Sequence, residues 1–95
     1  MDLSDEQLLE IEEYGKLFFS LKEVAILVEL EYAALNEMMQ DENSVVFKAY
    51  HKGRLTSEVD VRKSIIEMAQ SGSTEAQKLA LKLQLGMKLK MISDE

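Results

Sequence analysis

A chain of 95 residues, 46% of them apolar, suits one small domain whose core covers only part of its surface. The chain contains no cysteine, which excludes disulfides, thiol catalysis and thiolate metal sites and agrees with a reducing cytoplasm. Its net charge of -7 argues against nucleic-acid binding by the chain as a whole, because that affinity comes largely from Lys and Arg. We expect a cytoplasmic location and no membrane contact, since the longest uncharged apolar stretch, residues 24–28, is far too short to span a bilayer.

The charge is unevenly distributed along the chain. Residues 1–42 hold twelve Asp or Glu against two Lys, whereas residues 43–95 hold nine Lys or Arg against six Asp or Glu. We interpret residues 1–42 as an acidic helical region and residues 43–95 as a basic helical hairpin, joined in one cooperative domain. The two regions therefore face different electrostatic tasks.

Helix signals dominate the chain, which has no proline and four glycines. Ser4 with Gln7, and Ser20 with Glu23, have the spacing of capping boxes at helix starts. Gly72 is placed to end a long helix in the left-handed conformation. The patterns predict an all-α fold of about five helices, near residues 4–17, 21–28, 32–40, 43 or 44 to about 70, and 74–92. In this fold a helix-turn-helix is followed by a hairpin of long helices.

The second and third predicted helices have the spacing of a helix-turn-helix over about residues 20–40. Ala25 supplies the small residue that lets the two helices cross closely. Glu29 lies where many helix-turn-helix sequences place glycine. The inner faces are formed by Leu21, Val24, Val28, Leu30, Leu35 and Met38.

Candidate DNA contacts lie mostly outside the predicted recognition helix. Residues 29–42 contain five acids and no Lys or Arg, so Asn36 and Gln40 are the plausible readers of base edges there. The stronger candidates are the basic residues Lys48, His51, Lys52, Arg54, Arg62 and Lys63. Tyr50 is available in this segment to pack or to bond a phosphate. An equally weighted alternative is that these charges pair with the acidic first helix of the same or an adjacent chain.

Catalytic and metal-binding patterns are weak. His51 is the one histidine, and no carboxylate can be paired with it from spacing. Glu10, Glu12 and Glu13 are better read as a solvated acidic face than as a metal site, and the sequence at 71–74 lacks a phosphate-binding pattern. We expect no enzymatic activity, no cofactor and no metal.

The fifth predicted helix is apolar on more than one side. Leu81, Leu85 and Leu89 widen its apolar surface beyond a single stripe. Two interpretations stay open: the fourth helix covers this surface, or further copies of the chain associate through it.

The stretch from Lys48 to Arg54 and the stretch from Arg62 to Lys82 resemble phage terminase small subunits. The resemblance spans roughly residues 20–84 and rests on Ala49, Tyr50, Gly53, Ala69, Gly72, Ala76, Leu81 and Lys82. It implies a non-catalytic DNA-packaging role, in which a ring of copies recognises duplex viral DNA and delivers it to a large terminase subunit that carries the ATPase and nuclease. The alternative is a small helical protein-interaction or oligomerisation module with a degenerate helix-turn-helix.

Overall fold

The computed structural model describes residues 3–93, with side chains through residue 90, and this part of the chain folds into five helices without a strand. The helices are α1 (Asp5–Lys16), α2 (Leu21–Leu27), α3 (Tyr32–Met39), α4 (Val45–Gln70) and α5 (Thr74–Ser93). This confirms the predicted all-α class and all five predicted helices. Their ends differ from the predicted ones by a residue or two, as is usual at frayed helix termini.

Side-chain caps fix where several helices begin. The Ser4 hydroxyl accepts from the Gln7 backbone N–H at 3.1 Å, and the Gln7 side-chain oxygen Oε1 accepts from the Ser4 backbone N–H at 3.0 Å. The same reciprocal pair forms between Ser20 and Glu23. Both predicted capping boxes are therefore confirmed, and each satisfies two backbone donors at a helix start.

The caps of the two long helices resolve alternatives that the sequence left open. Ser44, rather than Asn43, caps α4 by accepting from the Phe47 N–H at 3.0 Å. Ser73, rather than Thr74, caps α5 by accepting from the Ala76 N–H at 3.2 Å. Gly72 adopts φ 102°, the left-handed conformation predicted for it.

The chain divides into two compact units, with the boundary between Glu58 and Val59. We call described residues 3–58 the N-terminal unit and described residues 59–93 the C-terminal unit. The charge pattern predicts a boundary between residues 42 and 43, where the net charge changes sign, whereas the compact units divide inside α4. Cooperative unfolding of the whole chain stays a prediction.

The N-terminal unit has a closed apolar core. Its buried members are Ile11 from α1, Val24, Ala25 and Val28 from α2 and its end, Leu35 from α3, and Val46 and Tyr50 from α4. Four of the five helices therefore contribute to this core. Burial of these side chains is the main favourable term that holds the short helices α2 and α3 in place.

Two glycines allow α1 and α4 to approach closely in the N-terminal unit. A Cβ atom at Gly53 would overlap the backbone carbonyl oxygen of Glu12, and one at Gly15 would lie 2.6 Å from that of Tyr50. Two long-range hydrogen bonds fasten the same region: Tyr50 Oη donates to the Phe19 carbonyl at 2.7 Å, and Ser57 Oγ donates to the Lys16 carbonyl at 2.5 Å. Backbone proximity and side-chain hydrogen bonds thus fix α4 on α1.

The C-terminal unit has little buried apolar surface among its described side chains. Ala76 is the one buried apolar residue there. Leu81 and Leu85 are 64% and 58% exposed, so the interpretation that α4 covers this face of α5 is wrong for these two leucines. A shallow apolar groove lies beside them, and its lining includes Ile66, Ala69, Leu83 and Met87. Association through this surface stays a prediction.

Candidate nucleic-acid interface

Helices α2 and α3 follow one another through a short turn and contact each other, as the predicted helix-turn-helix requires. Ala25 on α2 is 2% exposed and belongs to the same buried cluster as Leu35 on α3. The turn is closed by a hydrogen bond from the Leu30 N–H to the Ala25 carbonyl at 2.9 Å. Glu29 takes φ 58°, the left-handed conformation for which other helix-turn-helix sequences use glycine. Glu29 therefore forms the turn that glycine forms elsewhere, although this conformation strains the backbone of a residue other than glycine.

The outer surface of this motif is acidic. Glu29, Glu31, Glu37, Asp41 and Glu42 are all exposed, and they accompany α3 and its two ends. A carboxylate held near a phosphate is repelled, so this surface opposes close approach of the DNA backbone.

The two predicted base readers have different surroundings. Asn36 is half-buried, and Gln40 is exposed. The Gln40 side-chain amide donates to the Asn36 backbone carbonyl at 3.3 Å. Gln40 is the more exposed of the two, but as the C-cap of α3 it lies at the opposite end of the helix from the residues that reach base edges in helix-turn-helix complexes.

Lys22 is a cation at this motif that the sequence reasoning missed. Its Nζ lies 5.4 Å from the ring centroid of Tyr32, and both side chains are exposed. The contact joins the first turn of α2 to the first residue of α3, and in helix-turn-helix complexes the N-terminal residues of the second helix reach the base edges. The signal in the sequence was a lysine and a tyrosine at the first turns of two successive predicted helices.

The predicted basic segment of α4 is divided between two sides of the helix. Lys48 and Lys52 are exposed and lie one turn apart on one face. Arg54 lies on another side, with its guanidinium carbon 5.9 Å from the Tyr50 ring centroid. His51 is half-buried and its ring centroid lies 4.3 Å from that of Phe47. Lys48 and Lys52 are thus the two predicted residues that share an exposed face.

The alternative in which these charges pair with α1 is seen at Lys52. Its Nζ lies 3.7 Å from Oε1 of the half-buried Glu12 in the same chain. An ion pair near the surface contributes little stability, about 0–1 kcal/mol, so the exposed Lys52 can exchange this partner for a phosphate at small cost.

Tyr50 is not available to a phosphate. It is 6% exposed, and its hydroxyl donates to the Phe19 carbonyl. The expectation that Tyr50 packs against or bonds a phosphate is therefore wrong, because the ring belongs to the core. Three other residues that carry the resemblance to terminase small subunits also have structural roles. Gly53 allows two helices to approach closely, Gly72 lies at a helix end, and Ala76 is buried.

The remaining candidates, Arg62 and Lys63, lie in the C-terminal unit and are exposed. They border a shallow surface depression that also contains Val59, Ile66 and Glu67. Arg62 further lines the apolar groove beside α5. Their surroundings are thus partly apolar, which suits a protein contact as well as a phosphate contact.

Two titrating groups depart from their ordinary pKa values. The hydrogen bond from Lys16 to Glu13, at 2.9 Å, raises the pKa of Lys16. The hydrogen bond from the Ser20 backbone N–H to its carboxylate lowers the pKa of Glu23. Both effects arise in local contacts on exposed helix surfaces, and neither marks a catalytic group.

Neither a metal-binding cluster nor a membrane-spanning helix is found among the described residues. Residues 3–93 include no group of three His, Cys, Asp or Glu residues arranged to hold a metal ion. None of the described helices has the length and apolar character needed to cross a bilayer. In comparisons with protein-family models, with curated proteins and with solved structures, nothing matches this chain.

Proposed function

We propose that this chain is a non-catalytic DNA-packaging accessory of the terminase small-subunit type, which acts in the cytoplasm on duplex DNA as a homo-oligomer. The observation that carries the proposal is the helix-turn-helix, with Ala25 buried at the crossing and Glu29 in a left-handed turn. This arrangement is the one with which many proteins place a helix in the major groove of DNA. Its partner in packaging is a large terminase subunit.

Two further features support the proposal. The C-terminal unit exposes apolar side chains on both of its helical segments, which suits a subunit that associates with further copies. The resemblance to terminase small subunits includes residues with structural roles, namely Gly53 at the close approach of two helices and Gly72 at a helix end.

The acidic surface of α3 determines how DNA is held. Because carboxylates accompany the recognition helix, phosphate contacts come from cations of the helices before and after it in the chain: Lys22 at the start of α2, and Lys48 and Lys52 on α4. Such an arrangement gives weak binding by one copy. Repetition of the site in an oligomer raises the overall affinity without any new contact.

Binding of labelled duplex DNA, measured by fluorescence anisotropy at low and moderate salt, tests the proposal. Affinity should fall steeply with salt, since each neutralised phosphate releases a counterion. Replacing Lys48 and Lys52 by glutamate should weaken binding about tenfold and flatten the salt dependence. Lys90→Glu, at an exposed position in the last turn of α5, is the control and should change affinity less than about twofold.

Two results would contradict the proposal. One is the absence of any binding at low salt, and the other is equal binding by wild type and by the K48E/K52E variant. Either result would favour the second candidate, a protein-interaction module. The five exposed carboxylates on and around α3 are the observation that favours that candidate, because they suit a basic protein partner better than a phosphate backbone.

A further inference from the structure

One face of α5 combines exposed leucines with exposed lysines. Two lysines and two leucines share one side of this helix, because Lys78 and Lys82 are four residues apart and so are Leu81 and Leu85. All four are exposed, and α5 carries four lysines against one glutamate. A leucine flanked by lysines on a helix surface is matched by a partner that is apolar at its centre and acidic at its edges.

Part of the outer face of α1 has the same pattern with the opposite charge. Glu6, Leu9 and Glu10 repeat the spacing of Lys78, Leu81 and Lys82, and Glu13 lies where α5 has Leu85. Leu9 is 63% exposed, close to the 64% of Leu81. Helix α1 carries five acids against one lysine, so its charge also complements that of α5.

We propose that α1 of one copy packs on α5 of a second copy, with Leu9 against Leu81 and the glutamates beside the lysines. This inference deepens the assembly part of the proposed function. The contact is heterologous, because each copy offers α1 to one neighbour and α5 to another. Repetition of such a contact closes a ring when the rotation between copies allows it and otherwise gives an open filament.

Pairing of α5 with α5 is the main competing contact, and the charges oppose it. Two copies of the Lys78–Lys82 face would bring four ammonium groups together around the leucines. An α1 helix from a second copy replaces that repulsion by attraction and covers Leu81 with Leu9. Charge complementarity thus selects the head-to-tail arrangement.

Light scattering on the full chain, without DNA, tests the inference. Wild type should assemble with increasing concentration. The variants K78E/K82E and E6K/E10K should each need a concentration about tenfold higher to reach the same mass, because like charges then meet at the contact. An equimolar mixture of the two variants should assemble as wild type does, since each variant restores the charge that the other lost.

The control is Lys90→Glu, which makes one Lys-to-Glu change, half the charge change of K78E/K82E, on the opposite side of α5 from Leu81. It should assemble as wild type does. Circular dichroism should give the same helix content for every variant, so that a loss of assembly is separated from a loss of folding.

Several outcomes would overturn the inference. These are a wild-type monomer at the highest concentration, unchanged assembly of E6K/E10K, or a mixture of folded variants that stays monomeric. The light-scattering samples contain no DNA, so this experiment is independent of DNA binding. A chain that assembles as described but does not bind duplex DNA would therefore contradict the proposed function alone, and a DNA-binding monomer would contradict this inference alone.

Discussion

In the N-terminal unit six large apolar side chains are buried in one core and others, such as Ile26, are exposed, whereas in the C-terminal unit none of the large apolar side chains described is buried. Leu35 is fully buried among residues of α1, α2 and α4, while Leu85, of the same residue type, is 58% exposed. The apolar fraction of the sequence does not distinguish these two uses of leucine. Burial in one unit stabilises the fold of one copy, and exposure in the other leaves apolar surface for contact with a partner.

Truncation of one leucine in each unit should give the largest contrast. Leu35→Ala should lower the free energy of unfolding by about 2–5 kcal/mol, because it removes buried contacts and leaves a cavity. Leu85→Ala should change the free energy of unfolding at low protein concentration by no more than about 0.5 kcal/mol, because the side chain is already exposed. Urea unfolding followed by circular dichroism measures both. Equal effects would break the distinction between the two units.

Two glycines offer a contrast of intermediate size. Gly53→Ala should destabilise the chain by about 1–3 kcal/mol, because the added methyl group meets the Glu12 backbone and forces α1 away from α4. Gly86→Ala is the matched control on α5, where a Cβ has nothing within 4 Å, and should be neutral or stabilising by up to about 1 kcal/mol. Thermal unfolding midpoints compare the two. A Gly53→Ala protein as stable as wild type would contradict the close approach of α1 and α4.

The smallest effect concerns the cap of α2 in acid. Since the pKa of Glu23 is lowered in the folded state, its contribution to stability is present above the unfolded pKa and is lost as pH falls through the folded pKa. Glu23→Gln keeps the amide-type capping box seen at Gln7 and removes this titration. The difference in free energy of unfolding between wild type and Glu23→Gln should therefore shrink as pH falls through the folded pKa of Glu23.

The cap of α5 provides the comparison for that experiment. Its acceptor is the Ser73 hydroxyl, which does not titrate. Acid removes the charge of Glu75 in the first turn of α5 but no cap hydrogen bond there, so it should weaken the start of α2 more than the start of α5, which amide hydrogen exchange at each helix start would detect. A difference between wild type and Glu23→Gln that is independent of pH would contradict the assigned cause of the pKa shift.

Much of the fold could be predicted because its signals are local. The capping boxes at Ser4 and Ser20 and the left-handed Gly72 depend on residues at most three positions apart, or on the backbone freedom of one residue. The burial of Ala25 was predictable for a related reason, since a helix pair joined by a short turn admits few crossings.

The candidate site was less predictable because it depends on contacts between distant parts of the chain. Lys52 meets Glu12, and Tyr50 reaches Phe19, across 40 and 31 positions respectively. Both contacts require the close approach of α1 and α4 at Gly53. The sequence shows a glycine there, but it does not show which backbone that glycine admits.

Helix α2 has seven residues and is bounded by left-handed residues on both sides, Phe18 with φ 64° before its cap and Glu29 with φ 58° after its end. A helix of that length does not persist alone in water, and these bounds prevent it from lengthening in either direction. We therefore expect that the helix-turn-helix does not fold independently of the rest of the N-terminal unit. A peptide of residues 20–40 should be unstructured, and grafting the motif onto another scaffold would require the α1 and α4 residues that complete its core.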